Sequence, residues 1–354
     1  MTKVIYLHAK NYHPTHGAYA KAVNADFLQF DKYCRHDNVT VRFRLLRKYL
    51  SYLLLIIRFD YKKYGVILTD EPNIIPCIIK RLSLNRIKLV ATQASNSPYY
   101  YFQNRISNYS KMLFRYAARQ YDVIICIGDV QLREMKRIIG NDKNLYCTFN
   151  GVADDRYRRY STFQYNPYST VVFSLCNLFD RRIFENKGVD IMLKVMQKLQ
   201  VNWSLKYDYV GRSSEAHRSE FLKKYQLQDM QGVFVGEQSD PSAWFAKSLM
   251  LLHLSRIDAF AVAVCESFAA GMPVFITDDI GSRMMFDTMA NKDDYIIRPG
   301  QVDEAVEKIT RFLELSPKEK LRESEKFREI SKMFTEEKAC NSYKKIFFGA
   351  LNKS

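Results

Sequence analysis

The stretch from Asp258 to Asp279, which reads DAFAVAVCESFAAGMPVFITDD, predicts a short helix between two buried strands. The apolar segment SLMLLHLS precedes it, and the Asp258 side chain can cap the free N–H groups of a helix start. Gly271 suits the left-handed conformation that ends a helix, and the apolar run from Pro273 to Thr277 predicts the next strand. This order of elements is typical of an open α/β sheet.

The start of such a helix is suited to bind an anion. Free backbone N–H groups and the helix dipole both point to the carboxyl edge of the sheet, where doubly wound folds bind ligands, so a diphosphate is the expected occupant. Glu266 lies eight residues after Asp258, a separation of about 12 Å along one continuous helix. The two carboxylates are therefore expected to contact two ends of one extended ligand.

Two series of short apolar segments alternate with helical stretches along the 354 residues. The first consists of KVIYLHAK, VTVRFR, YGVILTD, IKLVATQ, DVIICIG and NLYCTFNG, and the second of STVVFSLCN, SLKYDYVG, GVFVGE, SLMLLHLS, PVFITD and DYIIRPG. Alternation of strands and helices predicts parallel sheets covered by helices. We predict an α/β chain of two Rossmann-like, doubly wound domains that face each other across a cleft, residues 1–160 and 161–334.

Motifs in the second half resemble retaining glycosyltransferases of the GT-B fold in family four, a group whose segment reads roughly EGFGLxxLEAxAxGxPVxAT. Asp258 and Glu266 match the pattern of this group, in which seven residues separate an acidic residue from a glutamate. Ala259 and Ala261 replace the two glycines of the pattern. Further agreement, in order, comes from NGV at 150–152, NKGVDIML at 186–193, Gly211, FVG ending at Gly236, and FTEEKACNSYKKIF. The resemblance covers the second half well and the first half loosely. It implies that residues 335–354 form a helix crossing back onto the N-terminal domain.

The resemblance implies a nucleotide diphosphate sugar as donor. Lys187 matches the family lysine that precedes a glycine and would neutralise the diphosphate together with an arginine. By spacing this arginine is Arg181 or Arg182. By strand register, however, Asn177 occupies the position and the arginines lie on an inserted loop.

The acidic motif would contact the rest of the donor. Glu266 resembles the Glu that binds the ribose hydroxyls, and Asp258 resembles the acid near the donor sugar. The backbone N–H groups of Phe260 and Ala261 are expected to face the phosphates. The alternative for Glu266 is a partly buried carboxylate with a purely structural partner.

The acceptor side is expected in the first half. Gln93 in LVATQAS occupies the position where many relatives carry a His, and a Gln is no general base. Retaining enzymes of this fold are usually proposed to let the leaving phosphate take the acceptor proton. Gly17 matches a glycine-rich loop that approaches donor and acceptor, although a plain turn is the alternative. His13 and His16 are candidate ligands or bases, or simply solvated loop residues.

Charge is concentrated in the first half. Residues 1–160 contain 27 Lys and Arg against 12 Asp and Glu, a net charge of +15, whereas the remaining residues contain 27 against 26. Such a domain suits an anionic partner. Two segments combine basic and apolar residues and predict peripheral contact with an anionic membrane, namely VRFRLLRKYLSYLLLIIRF and PYYYFQNRISNYSKMLFRYAARQ. The alternative is that they form core helices with a solvated basic face.

Seven cysteines without CxxC pairs favour a reducing compartment and give no zinc motif. We expect no metal, no cofactor beyond the donor substrate, no signal peptide and a cytoplasmic location. The predicted activity moves a hexose to a glycan or lipid-linked acceptor in surface polysaccharide or glycolipid synthesis. Alternatives are a nucleotide-sugar epimerase of the same fold, or a non-catalytic basic protein that binds a glycan or, without any recognised motif for it, nucleic acid.

Overall fold

The computed structural model describes residues 3–8, 14–29, 50, 52–103, 105–141, 144–178 and 181–353. It divides into two compact units. Unit 1 consists of Met1–Thr148 together with Glu337–Ser354, and unit 2 consists of Phe149–Glu336.

Unit 1 is a parallel sheet with strand order β2-β1-β3-β4-β5-β6. Its strands are β1 (Lys3–His8), β2 (Ala25–Gln29), β3 (Tyr64–Thr69), β4 (Lys88–Gln93), β5 (Val123–Ile127) and β6 (Leu145–Thr148). Its helices up to this point are α1 (Pro14–Ala22), α2 (52–58), α3 (Ile74–Leu82), α4 (Ser97–Phe102), α5 (Asn108–Gln120) and α6 (Asp129–Ile139). Five predicted apolar segments form strands here, whereas VTVRFR lies outside the described residues. The half-exposed strand ADFLQ, β2, was missed because it lacks a run of apolar residues.

Unit 2 repeats the architecture with strand order β12-β11-β10-β7-β8-β9, again parallel. Its strands are β7 (Val171–Leu175), β8 (Lys206–Val210), β9 (Phe234–Gly236), β10 (Met250–His253), β11 (Val274–Thr277) and β12 (Ile296–Ile297). Its helices are α7 (Asp154–Tyr160), α8 (Arg181–Asn186), α9 (Val189–Gln200), α10 (Glu215–Tyr225), α11 (Ser242–Lys247), α12 (Val262–Ala269), α13 (Val302–Glu314) and α14 (Pro317–Ser331). All six predicted strands of the second series are present.

The last helix, α15 (Glu336–Leu351), belongs almost entirely to unit 1. Its buried Tyr343 hydrogen-bonds Thr92 at the end of β4, with 2.7 Å between the hydroxyl oxygens. The Tyr343 ring also stacks on Tyr19 of α1, with ring centroids 4.5 Å apart. Ser342 accepts a hydrogen bond from Thr148 at 3.1 Å. These contacts fix the C-terminal helix against the sheet of the first unit.

The chain passes from unit 1 to unit 2 after Thr148, earlier than the predicted boundary at residue 160. The reason is α7, whose side chains pack within unit 2. Tyr160 is fully buried and stacks on Phe245 at 4.9 Å. Where the chain leaves unit 2, Glu336 N–H donates to Val152 O at 2.9 Å, so both crossing segments are anchored side by side in this unit.

The predicted cap of α14 is confirmed. Ser316 Oγ accepts a hydrogen bond from the N–H of Glu319, and the Glu319 carboxylate accepts one from the N–H of Ser316 at 2.8 Å. Pro317 takes the first helical position, where a missing N–H costs nothing. Local sequence alone is sufficient to define this helix start.

Candidate functional site

Asp258 lies in the loop after β10 and does not cap a helix. β10 ends at His253 and α12 begins at Val262, so three residues lie between Asp258 and the helix. The backbone carbonyl of Asp258 instead accepts a hydrogen bond from Gly281 N–H at 3.0 Å. The predicted separation of 12 Å along a helix axis therefore does not apply, because residues 258–261 are not helical.

The structure brings Asp258 together with Lys187, which follows α8. Lys187 Nζ lies 2.5 Å from Asp258 Oδ2, and both side chains are largely buried. His253 Nε2, at the end of β10, lies 3.1 Å from the same oxygen and 3.1 Å from Ser255 Oγ. A lysine, a carboxylate and an imidazole thus meet at the carboxyl edge of the second sheet.

The pKa of Asp258 lies far below its ordinary value. Burial by itself raises the pKa, but the nearby Lys187 ammonium and the hydrogen bond with His253 lower it by more. Asp258 is therefore a carboxylate at neutral pH, and it fixes the position of the Lys187 ammonium.

Gly188 allows Lys187 to reach Asp258. Its φ of +63° lies in the left-handed region, and a Cβ at this position would lie 2.0 Å from the carbonyl oxygen of Leu254. Arg256 strengthens the same junction, because its guanidinium binds both oxygens of Asp190 at 2.7 and 2.6 Å. The start of α9 is thus held directly against the loop that carries Asp258.

Glu266 lies on α12 and is only 2% exposed. Arg156 of α7 donates to its Oε1 at 2.6 Å. Burial raises the pKa of Glu266, and the Arg156 guanidinium lowers it only in part, so the net shift is upward. Arg156 and His253 were not predicted as site residues. The position of His253 at the end of a strand was the available signal, whereas Arg156 was one of several arginines in a Tyr-rich stretch.

α12 begins at Val262, later than predicted, because Ala261 is the capping residue and has a non-helical φ, ψ of −76°, 108°. Phe260 and Ala261 are buried ahead of it. Val264 N–H donates to Ala261 O at 3.1 Å, and the general geometry of a helix start leaves the N–H groups ahead of it without an acceptor inside the helix. The helix stop was predicted correctly, since Gly271 has φ +66°.

The predicted diphosphate arginines lie on a helix, α8, and not on an inserted loop. Arg182 is exposed, and the side chain of Arg181 lies outside the described part of the structure. Asn177, the alternative, is exposed after β7 and accepts a hydrogen bond from Arg212 N–H at 2.8 Å. The structure therefore brings Lys187 together with Asp258.

The candidates of the first half belong to unit 1. Gln93 is completely buried at the end of β4 and donates to Ser95 O at 3.2 Å and Ser95 Oγ at 3.0 Å. Gly17 lies inside α1, so the predicted loop or turn at this residue is wrong: the helix starts at Pro14, a favoured first residue. His16 hydrogen-bonds Asp70 and is not simply solvated. His13 lies outside the described residues.

The described ranges contain neither a metal-binding cluster nor a membrane-spanning helix. No group of three or more His, Cys, Asp or Glu side chains there could hold a metal ion. Among the same residues, no helix combines the length and the apolar character needed to cross a bilayer.

Comparison with known proteins supports the same fold. One solved structure with which the chain aligns is HepE from Anabaena in complex with UDP and glucose, at 14% identity over 100% of both chains with a TM-score of 0.72. Sucrose-phosphate synthase from Thermosynechococcus elongatus matches at 14% identity over 99% of this chain and 100% of that one, with a TM-score of 0.70. A glycosyltransferase from Rickettsia africae matches at 13% identity over 100% of both chains, with a TM-score of 0.69.

In sequence, residues 177–331 match the family model for glycosyl transferases group 1. None of the curated proteins compared with the chain matches it in sequence. The matched residues contain Lys187, Asp258 and Glu266, and the two parallel sheets correspond to the two Rossmann-like domains of the GT-B fold. The protein is thus a glycosyltransferase of the GT-B fold, and its residues 177–331 are similar to the glycosyl transferases group 1 family.

Proposed function

We propose that this glycosyltransferase moves a hexose, with retention of anomeric configuration, from a nucleotide diphosphate sugar to a glycan or lipid-linked acceptor in surface polysaccharide or glycolipid synthesis. The observation that carries the proposal is the Lys187–Asp258 pair at the carboxyl edge of the second sheet. This edge is where open α/β sheets bind nucleotides. The bound UDP of the Anabaena HepE structure, which has the same fold, agrees with the choice of donor.

The Lys187 ammonium would stabilise the diphosphate as it leaves. In the transfer, the bond between the anomeric carbon and the diphosphate oxygen breaks, and a bond from the acceptor oxygen to that carbon forms. The acceptor proton goes to the departing phosphate, so the transfer needs no general base from the protein. The N–H groups of the first turn of α12 would add further positive potential. Asp258 would keep the ammonium in place and face the positive charge that develops on the sugar.

Glu266 would bind the ribose. Arg156 occupies Oε1, whereas Oε2 makes no hydrogen bond to any residue that the structure describes. That oxygen suits a donor such as a ribose hydroxyl. Arg156 then has a positioning role, since its guanidinium fixes the orientation of the carboxylate.

The donor site is tested by thermal unfolding with a panel of UDP-, GDP-, ADP- and TDP-sugars. A donor at a hundred times its Kd is expected to stabilise the wild-type chain by about 2.7 kcal/mol. Glu266→Gln, which keeps the size of the side chain, is expected to reduce that shift because the amide is a weaker acceptor for the ribose hydroxyls. The matched control is Glu307→Gln on α13, where the carboxylate is exposed. The proposal is wrong if no nucleotide sugar stabilises the wild type.

We also propose that unit 1 contacts an anionic membrane through one face of α5. Tyr109, Met112 and Tyr116 recur at helical spacing, and the first two are 67% and 59% exposed. The exposed Arg115 lies beside them. Each such cation adds about 1 kcal/mol near an anionic surface. The other predicted membrane segment, residues 41–59, lies mostly outside the described residues, which include 50 and 52–58 as helix and residue 59.

The membrane contact is tested by cosedimentation with vesicles of phosphatidylglycerol or of phosphatidylcholine. The wild-type chain is expected to bind the anionic vesicles in preference, and the double variant Tyr109→Ser, Met112→Ser is expected to lose most of that binding. Tyr168→Ser, which removes an exposed aromatic ring from unit 2, is the control and should bind like the wild type. Equal binding of anionic vesicles by the double variant and the wild type would rule out this face of α5 as the membrane contact.

A further inference from the structure

Two consecutive carboxylates, Asp70 and Glu71, follow β3 at the carboxyl edge of the first sheet. Each is anchored through one oxygen. Asp70 Oδ1 accepts hydrogen bonds from the Tyr6 hydroxyl and from His16 Nδ1, the latter at 2.7 Å. The first half of the chain is strongly basic as a whole, so a fixed acidic pair at this edge requires an explanation.

Glu71 is held in the same manner by two serines. Its Oε2 accepts hydrogen bonds from Ser95 Oγ at 2.7 Å and from Ser97 Oγ at 2.8 Å. Neither Glu71 Oε1 nor Asp70 Oδ2 hydrogen-bonds any described residue. The Asp70 side chain is 34% exposed, so solvent or a ligand can reach it. Both carboxylates therefore have one fixed oxygen and one oxygen available to a ligand.

Gln93 adds a third acceptor to this cluster. Its Nε2 donates to Ser95 Oγ, the same hydroxyl that binds Glu71, which places the amide within the network. Its Oε1 is buried and, within the described part of the chain, makes no hydrogen bond. A buried acceptor without a partner is unfavourable, so a donor from a ligand or a water molecule is expected to reach it.

We propose that Asp70, Glu71 and Gln93 form a subsite that binds hydroxyl groups of the acceptor sugar. This inference rests on the proposed function, because it assigns the part of the acceptor that unit 1 recognises. Three hydrogen-bond acceptors call for a ligand that supplies donors, and sugar hydroxyls do so without a charge. A phosphate or carboxylate at the same place would be repelled by two negative charges. An anionic part of the acceptor, or an anionic membrane, must therefore contact other surfaces of unit 1.

The ionisation of Asp70 agrees with this chemistry. Burial raises the pKa of Asp70, but the hydrogen bonds from His16 and Tyr6 and the charge of His16 lower it by more, so the net shift is downward. At neutral pH the group only accepts hydrogen bonds. His16 and Tyr6 are positioning residues, since they orient the carboxylate and leave one oxygen for the sugar.

The experiment measures sugar binding by saturation-transfer difference NMR on the full chain. The probes are the methyl glycosides of glucose, galactose, mannose and N-acetylglucosamine. The wild-type chain is expected to transfer saturation to at least one of them. Asp70→Asn and Glu71→Gln are each expected to weaken that binding about tenfold or more, the effect of one charged hydrogen bond. Asp60→Asn, which changes an exposed turn carboxylate of unit 1, is the matched control and should bind like the wild type.

Two measurements make the outcome decisive. An unchanged unfolding temperature of the variants without ligand shows that they are folded, and an unchanged shift with a nucleotide sugar shows that unit 2 is intact. Glycoside binding that is equal in the wild type and both variants overturns the subsite, as does the absence of binding to the wild type. A wild type that binds glycosides but no nucleotide sugar would overturn the proposed function and leave the subsite in place.

Discussion

Replacing Lys187 by methionine is expected to lower kcat/KM for sugar transfer by about 10²- to 10³-fold, or about 3–4 kcal/mol in the transition state. The ammonium is the cation that Asp258 fixes at the carboxyl edge of the second sheet, 2.5 Å from that carboxylate. Without it, the charge that develops on the leaving diphosphate has no positioned counter-charge. Initial rates with the donor found in the binding panel measure the effect.

The same substitution also affects stability, and a second variant separates the two effects. Removing one member of a buried ion pair costs about 3–5 kcal/mol. Here the remaining Asp258 carboxylate loses its ammonium partner and keeps the contact with His253. The double variant Lys187→Met, Asp258→Asn is expected to recover most of the unfolding free energy but none of the activity. Lys198→Met, which breaks an exposed pair with Asp303, is the control and should change both by less than about 1 kcal/mol. Normal transfer by a folded Lys187→Met variant would exclude the proposed role.

Gly188→Ala is expected to destabilise unit 2 by about 2–5 kcal/mol. The left-handed backbone costs a non-glycine residue about 1–2 kcal/mol, and forced overpacking adds about 1–3 kcal/mol. The added Cβ would lie 2.0 Å from Leu254 O, so the backbone must move apart at the junction that positions Lys187. The urea midpoint of unfolding and the rate of transfer are both expected to fall.

Gly232→Ala provides the comparison for that substitution. No atom lies within 4 Å of the position that a Cβ would take there, so its effect is expected to stay within about 0.5 kcal/mol. Equal stability of the two alanine variants would show that the contact between Gly188 and Leu254 does not constrain the site.

Much of the fold followed from the sequence because strands buried in parallel sheets are nearly continuous apolar runs. All six strands of unit 2 were predicted in this way. β2 was missed because its side chains are half exposed and it carries Asp26 and Gln29. The boundary after Thr148 was also missed, since it depends on where Tyr160 and Arg156 of α7 pack and not on the composition of the linker.

The residues of the candidate site were predictable where they form a motif. The spacing of Asp258 and Glu266 and the NKG segment with Lys187 are properties of the sequence itself. Their pairing was not predictable, because Lys187 and Asp258 are 71 residues apart and Glu266 and Arg156 are 110 apart. The start of α12 was placed too early, since an aspartate in a loop and one at a helix cap look alike in sequence.

The sequence by itself determined two series of buried strands, the helix stop at Gly271 and the residue types of the donor motif, because these depend on local pattern and backbone preference. Only the tertiary structure decided which charges meet. In the tertiary structure Asp258 contacts Lys187 and His253, and Glu266 pairs with Arg156. Asp70 and Glu71 lie at the same sheet edge as Gln93, which shares the Ser95 hydroxyl with Glu71. The physical reason is that parallel strands bring their carboxyl ends to one edge, so side chains far apart along the chain come within hydrogen-bonding distance.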